Sequence, residues 1–420
     1  MKKLLTILIV LAVLVAGGLA ALGFGLRSVI QEQTLNALGN MTMSPQGKAY
    51  TATAEQVNFS PLSREMSIRG LSLQGERPQG PETWQVAEIS FRLPVRMLLV
   101  FTPLRNMVLD GKDMVDVAEN VVLRNLAMTA PDNRVAVQRE EIDVIRAMPF
   151  LVRQTLERHE PVDMVAATYS MGADNTHAHF ITVDIPGPSG STRLSLKETS
   201  MRGWQGRTID SIALDGLEVR VDGTPGISIG HIRQEGLTLP DEDLLRRIVD
   251  ASGQADPDEA LNQLMPLMET VLGAEPPLLR KAYAADMTFA VETSSVQVKE
   301  AVFEWLSNAP VHTRSSVKGL TAPSSLLRAL LDLTLPPLNM DMAFESRSSG
   351  AASHKTALVS AAGLGVLDCE VKLNEKPGTN ALEDLLTQSF SDFSLKYKDE
   401  GLTAWLGLNI STNVPQGVGA

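Results

Sequence analysis

One pattern recurs along this chain and restricts what it can fold into: apolar-x-apolar-x-Gly/Asn-Leu-x-apolar. It stands at Met66-x-Ile68-x-Gly70-Leu71-x-Leu73, at Val121-x-Leu123-x-Asn125-Leu126-x-Met128 and at Ile212-x-Leu214-x-Gly216-Leu217-x-Val219. Two further copies are Ile232-x-Gln234-x-Gly236-Leu237-x-Leu239, with one polar lapse, and Val359-x-Ala361-x-Gly363-Leu364-x-Val366; weaker versions end in Gly319-Leu320 and Gly401-Leu402. Apolar residues at every second position describe a strand with one buried face, and here the alternation slips by one residue at the Gly or Asn. Those two residue types tolerate a left-handed backbone, and one inserted residue of that conformation makes a bulge that returns the next side chain to the apolar face. Each copy therefore reads as a strand bent at a fixed place. Several such strands, irregularly spaced, predict a curved, twisted antiparallel sheet whose concave side is apolar, not a solenoid of fixed period.

Between the strands, residues Arg139 to Glu160 place Ile142, Ile145, Met148, Val152 and Leu156 near helical spacing, with Pro161 as a stop. Asp241 opens a short helix carrying Leu244, Leu245, Ile248 and Val249. Asp256-Pro257-Asp258-Glu259 supplies the cap, N1 proline and acidic first turn of another, kinked at Pro266. Ser324 to Leu331 and Ala381 to Thr387 predict two more. Elsewhere polar-apolar alternation dominates, at Thr168 to Ile185, Thr192 to Leu196, Met287 to Val298, Met340 to Phe344 and Phe390 to Tyr397. Turn clusters such as Pro186-Gly187-Pro188-Ser189-Gly190, Asp222-Gly223-Thr224-Pro225-Gly226 and Ser348-Ser349-Gly350 separate these runs. The class is α+β with strand in the majority.

The other strong signal is at the start of the chain. Lys2 and Lys3 precede an uncharged apolar run from Leu4 to Leu26, closed by Arg27. At about 1.5 Å per residue such a run reaches roughly the ~30 Å of a bilayer's hydrocarbon core. The lysines keep the N-terminus cytoplasmic and the rest of the chain outside the inner membrane of a bacterial cell. A cleaved signal peptide is the alternative, with Ala16-Gly17-Gly18-Leu19-Ala20-Ala21 as a cleavage region. The run is longer than the ~7–15 apolar residues of a secretory signal and lacks a clean Ala-x-Ala at its end.

The expected organisation is thus an N-terminal transmembrane anchor over 1–27, a first β-rich segment over 28–137, and a helix followed by antiparallel strands over 138–240. A helical insertion with strands (241–310), a C-terminal β-rich segment (311–411) and a flexible tail (412–420) complete it.

Composition excludes several functions. A net charge of -12, spread along the chain, supplies no basic face for nucleic acid. It also opposes lying flat on anionic lipid, so membrane contact falls to the anchor or an apolar groove. With 44% hydrophobic and 20% charged residues the chain buries a large core. Cys369, the only cysteine, permits no internal disulfide and reads as a small buried hydrophobe within Val366-Leu367-Asp368-Cys369-Glu370-Val371.

No constellation carries chemistry. His177-x-His179, near Asp174, is the sole histidine pair with ligand-like spacing, and a catalytic zinc site needs a third placed ligand. Ser315-Ser316-Val317-Lys318 has the Ser-x-x-Lys spacing, but that motif normally opens a helix and its usual companions are broken here, at Ser391-Asp392-Phe393 and Lys355-Thr356-Ala357. Trp84, Trp204, Trp305 and Trp405 are scattered and read as core or groove residues. The chain reads as non-enzymatic, with no cofactor and no metal.

An apolar N-terminal anchor, bulged strands ending in Gly-Leu-x-apolar and the late Tyr397-Lys398-Asp399-Glu400-Gly401-Leu402 segment together resemble the AsmA-like and YdgA-like envelope proteins of Gram-negative bacteria. The resemblance spans about Met66 to Leu408. It implies a long curved sheet in the periplasm and, for AsmA-like members, a part in phospholipid movement or outer-membrane upkeep, with no defined catalytic residue. The chain is short for a bridge between two membranes.

Two expectations follow. In the first, an apolar trough holds phospholipid acyl chains, with Ile68, Leu71, Leu73, Leu126, Leu214, Leu217, Val219, Leu237 and Leu239 as its lining. In the second, the protein is an envelope adaptor that binds a protein partner through exposed strands.

Overall fold

The computed structural model of the protein describes residues 50–402, apart from 61–62, 78–79, 100–104, 132, 155–163, 188–189, 253–258, 260–261, 268–277, 292–293, 309, 332–336, 350–351 and 375–388. The expected anchor over residues 4–26 and the expected helix over Ala381 to Thr387 lie outside the described residues. Among the described residues, no helix is long and apolar enough to cross a membrane.

Strand dominates, and the strands pair antiparallel. The chain divides into two compact units: residues up to Thr224 with Glu235–Leu278, and Pro225–Gln234 with Leu279 onward. In the first unit β1 (Thr51–Thr53), β2 (Gln56–Ser60), β3 (Glu65–Arg77), β4 (Gly80–Arg92), β5 (Val115–Thr129), β6 (Arg134–Ala147), β7 (Met171–Gly187), β8 (Gly190–Gln205) and β9 (Thr208–Val221) follow in order. From β2 to β9 each strand pairs with the next, and β1 pairs with β3. Strand β10 (Thr224–Thr238) carries the chain from one unit into the other and back. The second unit continues as a meander of β11 (Leu279–Val291), β12 (Ser294–Asn308), β13 (Val311–Ala322), β14 (Leu338–Ser349), β15 (Ala352–Ala361), β16 (Gly365–Asn374) and β17 (Ser389–Asp399).

The Gly-Leu signature is a bulge where it lies inside a strand. Gly70, Asn125, Gly216, Gly236 and Gly319 have φ of 59°, 51°, 65°, 63° and 60° within β3, β5, β9, β10 and β13. One copy is different: Gly363 sits in the short turn between β15 and β16, where Leu364 N–H donates to the Ala361 carbonyl at 3.0 Å. The chain reverses there, so Val359 to Val366 is a hairpin and not a bent strand.

The bulges are aligned. Leu71 opposes Val86, Val86 opposes Leu126, and the row runs on through Val137, Ile181, Leu196 and Leu217. Three residues away, Ile68 opposes Ile89, then Leu123, Glu140, Ala178, Thr199 and Leu214. Between the two rows a third line, from Gly70 through Ala87, Asn125, Gln138, Phe180 and Lys197 to Gly216, holds the extra residue of every strand at one height. Register is therefore kept from strand to strand, while each strand swaps its pleat at this line and both flanking rows stay on the same face. The Glu55 side chain lies over Gly70, at the break between β1 and β2.

Two bulges use residues that the sequence does not advertise: Phe180 (φ 52°) on β7 and Asp286 (φ 54°) on β11. The Phe180 side chain is 57% exposed, so little burial offsets the strain of a left-handed aromatic residue. Phe180→Gly should raise stability in urea by about 1 kcal/mol. Ala87→Gly, at the same bulge line on β4 with ordinary φ, should lower it by about 0.5–1 kcal/mol. Equal effects of the two changes would show that Phe180 is unstrained.

Among the described residues, helices are few and short. Met97 of α1 (Val95–Leu99), Val108 and Leu109 of α2 (Arg105–Leu109), Leu151 and Val152 of α3 (Pro149–Arg153) and Ala167 of α4 (Met164–Tyr169) join the first unit's core. Helix α5 (Glu242–Ser252) is capped as Asp241 predicts, its Oδ1 accepting the Leu244 N–H at 2.8 Å. Leu244 and Ala251 pack with Leu267 of a helical stretch at 262–267, within the second expected helix. Helix α6 (Ser324–Leu331) has the expected bounds.

The helix expected from Arg139 to Glu160 is a correction. Arg134–Ala147 is strand β6, and helix begins only at Pro149. The buried positions of β6 are Val137, Glu140, Ile142, Ile145 and Ala147. Two pleat swaps, at 138–139 and 143–144, insert three-residue steps into a two-residue repeat, and steps of two and three mimic helical spacing. The run expected from Met287 to Val298 likewise spans two strands, β11 and β12, with their connection at 292–293.

Candidate functional site

Of the expected lining residues, Ile68, Leu71, Leu73, Leu126, Leu214, Leu217 and Val219 share one face by register, but not one degree of burial. Ile68, Leu71, Leu73 and Leu126 are closed into the first unit's core at 0%, 1%, 2% and 5% exposure. Leu214, Leu217 and Val219 on β9 are half-buried, as are Ile181 and Val183 on β7 and Leu194 on β8. Leu237 and Leu239 are half-buried and pack against that core. The first unit's apolar face is thus sealed over β3–β6 and progressively open over β7–β9.

Within this face sits a polar group that sequence reading passed over. Glu140 takes the inward position between Leu123 and Ala178 and is 3% exposed; Thr176 and Thr199 are 3% and 2% exposed. Ala178 lies directly between Glu140 and Thr199, and Thr176 is the next inward residue on β7. Glu140 Oε2 and both threonine hydroxyls have no hydrogen-bond partner. Burial raises the Glu140 carboxyl from its ordinary 4.5 to about 7. The signal was present in the sequence as an acidic residue in phase with Val137 and Ile142, but a helical reading of the segment put Glu140 at a helix start. A second buried carboxylate, Glu82, is satisfied by Tyr50 Oη–H at 3.0 Å and Trp84 Nε1–H at 2.6 Å.

The second unit has no comparable seal. Phe303 opposes Ser315, and the row continues through Phe344, Ala357, Cys369 and Leu395. The adjacent row on the same face is Ala301, Val317, Met342, Val359, Leu367 and Tyr397. All of these are half-buried or exposed, Phe344 at 41%, Leu395 at 55% and Tyr397 at 43%. A depression of about 260 Å³ opens over Ser315, Phe344, Ala357 and Cys369. Cys369 is half-buried there, within the predicted strand.

The opposite face carries the charge. Lys318 Nζ lies 2.8 Å from Glu300, Lys281 Nζ 2.7 Å from Glu304, His354 Nε2 2.9 Å from Glu370 and Lys372 Nζ 3.1 Å from Asp392. These exposed cross-strand pairs add little stability but fix which face meets water.

The dismissed chemistry motifs are accounted for by geometry. Ser315 and Lys318 lie on strand β13 and on opposite faces of it, and Lys318 is engaged by Glu300. His177 and His179 share the outward face of β7; Asp174 is held bidentately by Arg146, through Nη1 and, at 2.8 Å, Nη2. No cluster of three metal-ligating residues occurs among the described residues. An outward depression of about 730 Å³ at the bulge line is edged by Arg124, Arg139, His179 and Phe180. Its cations are already matched, Arg124 by Glu88 at 3.3 Å and Arg139 by Glu141.

Compared with known proteins, the chain matches no family model, no curated protein and no solved structure.

Proposed function

We propose that this protein is an AsmA-like, membrane-anchored envelope protein that holds the acyl chains of phospholipid on apolar sheet faces. Residues 4–26 tether it to the inner membrane, with the N-terminus cytoplasmic and the two units in the periplasm. The observation that carries this reading is the half-open apolar surface over β12–β17, backed by a face of paired charges. Burial of acyl chain contributes about 0.8 kcal/mol per CH₂. A two-chain lipid is therefore held firmly without a polar motif, in keeping with the sequence reading of a non-enzymatic chain. The role follows as carrying or shielding lipid during phospholipid transfer or outer-membrane maintenance.

The test is the lipid content of the full chain after purification, measured by mass spectrometry. Wild-type protein should carry phospholipid in at least equimolar amount. Phe344→Asp, at an exposed position of the open face, should reduce it several-fold with an unchanged circular-dichroism spectrum. Lipid-free wild-type protein with a stoichiometric protein partner would replace the lipid reading with the adaptor one.

A further inference from the structure

The orphaned polar atoms of Glu140, Thr176 and Thr199 make the first unit's apolar face more than a hydrocarbon surface. The three side chains surround Ala178 in the sheet register, and Ala178 itself is fully buried. Three buried, unpartnered polar atoms at neighbouring positions are costly to fold around unless something supplies the missing hydrogen bonds. A core of this kind could have used an apolar residue at each position, as the neighbouring row does with Val137, Ile181 and Leu196.

The charge around the cluster selects the ligand. Leu123 and Ala178 oppose Glu140, Ile142 follows it on the same face, and Met201 opposes Thr176. With no lysine or arginine on these inward positions, the cluster offers a phosphate or carboxylate no counter-charge. A carboxyl and two hydroxyls suit a group that brings its own N–H or O–H. Beyond Thr199 the row reaches Leu214, half-buried on β9, so the cluster adjoins the open part of the face.

We propose that Glu140, Thr176 and Thr199 form a binding site for the donor-bearing head, an ammonium or a hydroxyl, of a single-chain amphiphile whose tail lies along β7–β9. The tail contact rests on the acyl-chain reading above; the head contact does not.

Dicyclohexylcarbodiimide, an apolar reagent for protonated carboxyl groups, tests the site on the full chain held in amphipol at pH 6, with labelling of Glu140 read by peptide mass spectrometry. Labelling should occur, and either N,N-dimethyldodecylamine or dodecanol should slow it at least tenfold, whereas dodecane should not. Protection by the amine alone identifies an ammonium site; protection by the alcohol alone identifies a hydroxyl site. Thr199→Val should erase most of the difference between the protecting ligand and dodecane while leaving Glu140 reactive. Equal protection by dodecane would overturn the head contact and leave the acyl-chain reading intact. Failure of all three ligands to protect, or failure of Glu140 to label, would overturn the site, while phospholipid on the second unit's face would be unaffected.

Discussion

Leu71→Asp should prevent the first unit from folding. Leu71 is 1% exposed and lies immediately after the Gly70 bulge, in the row that runs through Val86, Leu126 and Val137. Losing the leucine forfeits about 1.5–3 kcal/mol of burial. An unpaired carboxylate in the same place costs several kcal/mol more. The sum approaches the whole stability of a typical domain, about 5–15 kcal/mol. Circular dichroism and limited proteolysis should show an unfolded first unit. Ser72→Asp, one residue further along and on the opposite face, should shift the urea midpoint only slightly. A native-like Leu71→Asp protein would mean that the bulge does not turn Leu71 inward.

Raising the pH should weaken folding through Glu140. In the unfolded chain this carboxyl titrates near its ordinary 4.5, and burial lifts it to about 7 in the folded protein. The folded state therefore binds the proton more tightly, and stability falls as pH rises. The group costs nothing below about pH 4.5; the penalty grows between there and about pH 7 and is complete above it. At about 1.4 kcal/mol per pH unit, the full cost is about 3 kcal/mol. Glu140→Gln should remove this component, so the gap in unfolding free energy between variant and wild type should widen from pH 4.5 to pH 8. Taking the difference cancels the carboxylates that act in the opposite sense, such as Glu304 beside Lys281 and Glu345 beside Arg347, whose hydrogen bonds hold them below the usual range. A gap independent of pH would place the Glu140 carboxyl in contact with water.

How much of this was legible beforehand depends on the residue at each bulge. Where a strand changes pleat on Gly or Asn, as at Gly70, Asn125, Gly216 and Gly319, the composition of the step announces it. Where it changes on Gln138, Asp143-Val144 or Phe180, nothing in residue type marks the step, and the two-and-three spacing of β6 passes for a helix. Gly363 shows the converse, because a glycine that permits left-handed backbone serves a turn as well as a bulge. The N-cap of α5 and the bounds of α6 were readable because they depend on local chemistry alone.

The lining residues were legible as a face but not as a degree of burial. Alternation reports which side chains point together; whether another element closes over them is set by tertiary packing. Hence Ile68 and Leu71 lie in a closed core, while Phe344 and Leu395, outside the bulge motif, lie on the more open surface. Glu140 was hidden for a related reason: a buried carboxyl is visible in sequence only if the phase of its strand is right.

Trp305 offers the most direct test of the acyl-chain account. It follows Phe303 on the same face of β12, opposite Thr313, and its Nε1–H donates to Asn308 Oδ1 at 2.7 Å. Phospholipid with brominated acyl chains, loaded on the full chain, should quench the emission component that Trp305→Phe removes. If that component is equally bright with brominated and ordinary phospholipid, acyl chains do not lie on the face that carries Trp305, and the account fails.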